Sequence, residues 1–206
     1  MPFFVVLLAS LFFSACQENR ASKVPPGEIE HPRETPVIRH VIVVAMENND
    51  ADVIYGGADR APYINDTLLT KYAHAVNFVD PLPTWIPSEP HYVWMEAGTN
   101  ALPDHVFQDN SDALLANSTS SGAHLVAQIR RAANDDWMSY QEGIDSLTGA
   151  CPVASSGLYA AKHNPFVFFR DVSGNPPSKT NAYCASHHRP LPALYSDLAA
   201  GTVAAY

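Results

Sequence analysis

Glu47, Asn48 and Ser88 are the residues of this chain whose types and positions fit metal-assisted nucleophilic chemistry. The first two follow an apolar run, residues 37–46, so their side-chain oxygens stand at the carboxyl end of an expected strand. In open α/β sheets that is where ligands bind. A lone carboxylate there is costly to bury, and a cation offsets that cost. Asn48 adds a neutral oxygen of the kind divalent metals accept. Ser88 lies in Pro87-Ser88-Glu89-Pro90, a sequence suited to a helix start. A helix N-terminus favours an anion, and so favours both a serine alkoxide and an arriving phosphate. A metal touching the hydroxyl lowers its pKa further. Plainer readings stand beside these: Glu47-Asn48 opens the turn toward Gly56-Gly57, and Ser88 is a helix N-cap. The residues alone leave both pairs open.

These side chains need a frame. The run 37–46 is continuously apolar, as expected for a strand covered on both faces of a parallel sheet. Residues 61–73 read as helix and 75–79 as a second strand. A helix begins at Ser88 and ends near Gly98. Residues 109–122 form a polar loop. Residues 123–133 are an amphipathic helix with Leu125, Val126 and Ile129 inward and Arg130 and Arg131 outward. Residues 137–141 are a further strand, and 192–200 a last helix stopped by Gly201. Strands alternating with helices give an α/β class with a mostly parallel sheet flanked by helices.

The 206 residues are 47% hydrophobic and 16% charged, which is globular composition for one domain. The net charge of −9 argues against nucleic acid as a partner, since no basic stripe is present to neutralise phosphates. It allows a small phosphorylated substrate neutralised locally by a metal.

Residues 1–16 read as a signal peptide. The apolar core is too short to span a bilayer, and Ser14-Ala15-Cys16 resembles a lipoprotein cleavage site. That makes Cys16 an expected lipid anchor and the protein exported, periplasmic or extracellular. The apolar run lacks a preceding Lys or Arg, and Phe13 is bulky, so plain secretion is the alternative. Residues 17–36 are a polar, proline-bearing linker, and the domain begins at Val37. In an exported chain Cys151 and Cys184 are expected to pair, the alternative being two free buried thiols. His187-His188 looks like a metal pair, but neighbours on a strand point to opposite faces.

Met46-Glu47-Asn48, Pro87-Ser88-Glu89-Pro90-His91-Tyr92 and Ala97-Gly98-Thr99-Asn100, taken in order, resemble the bacterial phosphoesterase family of acid phosphatases and non-haemolytic phospholipases C, within the alkaline phosphatase superfamily. The likeness continues through Trp137-Met138-Ser139-Tyr140-Gln141, Lys162-His163-Asn164-Pro165-Phe166 and Leu198-Ala199-Ala200-Gly201. It implies an alkaline-phosphatase-like fold and a divalent metal held by Glu47, Asn48 and Ser88. It makes Ser88 the nucleophile and sets His163 beside the site as a catalytic candidate. A packed, hydrogen-bonded role for His163 is the plainer alternative. His91 stands where an Asn is common, and Asn49-Asp50 departs from the usual continuation. In the family a segment like 198–206 leads into a cluster of Asp, Asn and His that completes the metal site. The resemblance therefore covers an N-terminal portion, 37–206, with the fold truncated at the C-terminus.

The reading is a metal-dependent hydrolase of phosphoester bonds, acting on a small phosphorylated substrate or a phospholipid headgroup. Its rival is a non-catalytic surface lipoprotein that keeps a truncated phosphoesterase fold as a binding module. The enzyme reading expects Glu47 and Ser88 oxygens within about 6 Å of each other, the span of one bridging ion.

Overall fold

Extended residues 38–47 lead into α1 (Ala51–Tyr55) and then into a π-helical stretch (Tyr63–Leu68) continued by α2 (Leu69–Lys71). The computed structural model describes residues 38–206 except 48, 56–59, 79, 133 and 148. Asn48 and Cys16, with the signal peptide and linker, therefore lie outside the described residues. Among the described residues no helix is long and apolar enough to cross a membrane.

The central element is α3 (Ser88–Ala97). Glu89 puts negative charge in its first turn, and Pro90 there costs no intrahelical bond. Gly98 ends it at φ 69°, with its N–H given to the Trp94 carbonyl at 2.7 Å. Its buried face runs Glu89, Val93, Glu96, the spacing of one helical stripe. Two carboxylates thus enter the core with a valine between them, and both are hydrogen-bonded. Glu89 accepts the Ser111 N–H at 2.7 Å and the Asn117 side-chain amide at 3.0 Å, and its own N–H goes to Asn110 Oδ1 at 3.0 Å. Glu96 Oε1 accepts the His124 Nδ1–H at 2.8 Å and the Val126 N–H at 2.7 Å.

After the hairpin of β1 (Ala101–Leu102) and β2 (His105–Val106), the chain reaches α4 (Leu125–Ala132). Val126 is the second residue of α4, so Glu96 caps a helix other than its own. Val126 and Ala127 are buried and Ile129 packs on the core. The strand β3 (Ser139–Gln141) follows, and a 3₁₀ turn, Pro165–Phe168, leads to α5 (Arg170–Ser173). His124 Nε2 donates to Asp171 of α5 at 3.0 Å, and the ring stacks on Phe169 at 4.0 Å. One buried imidazole therefore joins α3, α4 and α5. Both of its partners are carboxylates, so both ring nitrogens carry hydrogen.

The short α6 (Ala182–Ser186) is capped by Asn181, whose side chain accepts the Cys184 N–H. It precedes β4 (His188–Pro190), which pairs in parallel with β3 in the register Ser139↔His188. The last helix, α7 (Pro192–Ala200), stops at Gly201 with φ 66°. Val93, Phe107, Val126, Trp137, Phe168 and Phe169 form the main core, joined by Cys151 and Cys184. These two cysteines are disulfide-bonded with Cα atoms 5.1 Å apart, the pairing expected from the sequence.

The class is α/β, but the sheets are small and partly antiparallel. The expected strand 37–46 is a correction. Val37 is outside the described residues, and 38–46 is extended but belongs to no sheet. Val43 and Val44 are more than half exposed. The reason is pairing: the segment's backbone gives the Val41 N–H to the Ala205 carbonyl at 2.8 Å, and a single bond does not make a ladder. The expected strand at 75–79 is likewise not a strand among its described residues, and Val76 and Phe78 are exposed.

Two measurements follow. Burial alone lowers the pKa of His124, but its bonds to Asp171 and Glu96 more than reverse that and raise it above 6.5. Burial pushes Glu89 from 4.5 up to about 7, against the donors Ser111 and Asn117. Each group stabilises the fold fully below its unfolded pKa and loses that contribution as pH rises through its folded one. Melting temperature should therefore fall as pH rises from about 4.5 through about 7 as Glu89 ionises, and fall further above 6.5 as His124 loses its proton. His124→Gln should cost about 3 kcal/mol near pH 6, by leaving the buried Glu96 carboxylate without its charged partner, and should flatten the fall above about 6.5. An unchanged slope would assign the titration to other groups. Separately, a thiol reagent should label neither Cys151 nor Cys184 in the native, unreduced protein, and reduction should cost about 3–4 kcal/mol.

Candidate active site

Ser88 is the first residue of α3, not its cap: Pro87 holds the capping position, with no side-chain cap bond. The Ser88 hydroxyl is turned to a different partner. It donates to Glu47 Oε1 at 2.8 Å, across 41 residues of sequence. Glu47 reaches it from the end of the extended apolar segment. Two oxygens 2.8 Å apart are also spaced as neighbouring ligands of one divalent ion with bonds of about 2.0–2.2 Å.

His163 Nε2 lies 3.3 Å from the other Glu47 oxygen. This nitrogen is buried and has no hydrogen-bond partner among the described residues. Burial lowers the His163 pKa, the Glu47 charge works against that, and Lys162 adds to it. Tyr92 completes the group. It follows Ser88 by one turn, on the same face of α3. Burial first, then the nearby Glu47 carboxylate, raises the pKa of its hydroxyl. Its ring is stacked on His163 at 5.1 Å. Nothing in the sequence reading singled Tyr92 out, although its position four residues after Ser88 was the available signal.

Other sequence candidates lie elsewhere. Asn164, next to His163, turns into the core, where it donates to the Tyr159 hydroxyl at 2.9 Å and meets His188 at 3.4 Å. His91 is paired with Asp80 at 2.6 Å, which ties the loop before α3 to the helix. His187 is bonded to the Tyr183 carbonyl, and His188 to that of Cys184. Asp171 is held by His124 and Arg130. No group of three or more His, Cys, Asp or Glu among the described residues is arranged to hold a metal ion.

Chemically, the arrangement can activate a hydroxyl. Glu47 is within hydrogen-bond reach of the Ser88 proton, as a general base must be. The α3 dipole favours negative charge at Ser88. Amide donors at that helix end are few, because the Glu89 N–H is given to Asn110 and Pro90 has none. Charge on an incoming anion therefore calls for a further partner such as a cation. Beside the site lies a cavity of about 1020 Å³ lined by Glu47, Tyr92, Met95, Tyr140 and His163 among others.

No family model matches the chain, and no solved structure does. Among curated proteins it is similar to a phosphatidylinositol-3-phosphatase from Mycobacterium tuberculosis, with 30% identity over 138 residues. The match covers 66% of this chain and 41% of that protein, so the chain spans about two fifths of the length of that relative. The chain therefore has a distant phosphatase-like relative.

Proposed function

We propose that this chain carries the nucleophile of a metal-dependent phosphoester hydrolase of the acid phosphatase or phospholipase C type, with an alkaline-phosphatase-like fold. The observation that carries the proposal is the 2.8 Å bond from Ser88 to Glu47, made at a helix N-terminus by residues far apart in sequence. The phosphatase-like relative supports the reaction class.

Glu47 and Ser88 would hold a divalent metal, with Asn48, outside the described residues, as the third ligand. When bound, the ion would supply charge neutralisation for the phosphoryl group and acidify the serine hydroxyl. Ser88 Oγ forms a bond to phosphorus as its proton leaves toward Glu47, and the bond from phosphorus to the leaving oxygen breaks. His163, whose Nε2 has no hydrogen-bond partner among the described residues, would give a proton to the leaving oxygen as that bond breaks. Water then cleaves the phosphoserine. The substrate is a small phosphorylated compound or a phospholipid headgroup. The protein would act after export, anchored to the membrane through Cys16.

The rival reading, a non-catalytic surface lipoprotein with a phosphoesterase-like binding module, has one observation in its favour: the described residues hold no cluster of three or more His, Cys, Asp or Glu suited to a metal. One experiment separates the two. Hydrolysis of an aryl phosphate should require a divalent cation, and Ser88→Ala should lower kcat/KM by at least about 10³-fold. Because Ser88 does not cap α3, the same change should cost no more than about 1 kcal/mol in stability. Full activity in the variant removes Ser88 from the nucleophile's role. A wild-type protein that binds phosphate compounds without turning them over establishes the binding module.

A further inference from the structure

We propose that the cavity beside the candidate site is a strand position, which takes an extended apolar peptide from another chain in parallel with β3. Three hydrogen bonds carry the inference. Tyr206 gives its N–H to the Asp136 carbonyl at 3.2 Å and accepts the Met138 N–H at 2.8 Å, the pattern of a parallel pair. Its neighbour Ala205 accepts the Val41 N–H at 2.8 Å. Residues 205–206 therefore run between the extended segment 38–46 and the lead into β3.

The same two segments continue past those bonds and line the cavity of about 1020 Å³, which is walled by residues 41–46, residues 138–142 and Tyr206 among others. Each turns backbone toward it. Among the described residues, 42–46 make no backbone–backbone hydrogen bond. One edge of β3 belongs to β4: the Ser139 N–H goes to the His187 carbonyl, and the Gln141 carbonyl takes the Leu191 N–H. Backbone groups alternate along a strand, so Tyr140 turns its own to the edge that Met138 shares with Tyr206. An unpaired edge is a template for a further strand, and strand addition is a recurring mode of peptide binding. This slot offers such an edge on both sides. Its lining includes Ile54, Ile64, Met95 and Phe166. A parallel strand covered on both faces reads as a continuous apolar run, which sets the chemistry of the occupant. Because 42–46 leads directly into Glu47, such a strand would also restrain the carboxylate that meets Ser88.

The test uses the capped hexapeptide KVIVVK and amide hydrogen exchange of the full chain, so it is independent of any hydrolytic activity. The peptide should slow exchange at Val43 and Tyr140 by at least about tenfold. A version N-methylated at alternate central residues cannot pair along one edge and should bind at least about tenfold more weakly. Val43→Pro removes a donor on the side of Val41 and should weaken peptide binding about tenfold. Val44→Pro, whose N–H points the other way, should leave binding unchanged, with thermal melts confirming that both variants are folded. If Val43→Pro does not fold, the N-methylated peptide carries the same comparison. Binding without protection of Val43 and Tyr140, equal binding of the N-methylated peptide, or no binding at all overturns the proposal. Equal binding would identify an apolar cavity that does not recognise a strand.

Discussion

Glu89 and Glu96 lie buried on the same stripe of α3 as Val93, and burying two carboxylates on one helix is tolerable only because each is met by donors. Glu89 is met by the loop around Ser111 and Asn117, and Glu96 by His124 and the start of α4. These bonds fix the rotation of α3 about its axis. Once that rotation is set, the adjacent face is fixed with it, and the Ser88 hydroxyl is presented to Glu47. An apolar stripe would have buried α3 as well, but with a less definite rotation, because apolar contacts lack direction.

The helices were legible in the sequence where local signals sufficed. The stop of α3 at Gly98 and that of α7 at Gly201 were visible as glycines following apolar periodicity. The amphipathic pattern of α4 was equally plain. The strands were not legible in the same way. An apolar run states that a segment prefers to leave water, but not which backbone will pair with it. Residues 38–46 satisfy the first statement and lack the second among the described residues, apart from the Val41 bond to Ala205. The pairing of β3 with β4 joins segments 49 residues apart at Ser139 and His188, a separation no local pattern encodes.

Within the candidate site, Glu47, Ser88 and His163 were named from sequence, and the structure brings them together. The N-cap reading of Ser88 failed because a cap needs its oxygen to accept an amide, whereas this hydroxyl donates to a carboxylate. His163 and Asn164, adjacent in sequence, part company because a short 3₁₀ turn, Ala161–His163, ends between them. Tyr92 escaped notice because a tyrosine at helical spacing is usually read as packing. Its contact with His163 shows only in the folded chain.

The two halves of the site rest on unequal foundations. Ser88 and Tyr92 stand on a helix locked into the core, whereas Glu47 ends a segment that, among the described residues, is exposed and largely unpaired. Segments with few buried contacts open at low free energy. The geometry that places Glu47 on Ser88 is therefore one member of an ensemble, and any ligand needing both must draw on that member's population. Apparent affinity is reduced by the fraction of molecules not in it. Whatever restrains the Glu47 segment, whether a neighbouring strand or a bound ion, would tighten binding without touching the ligand.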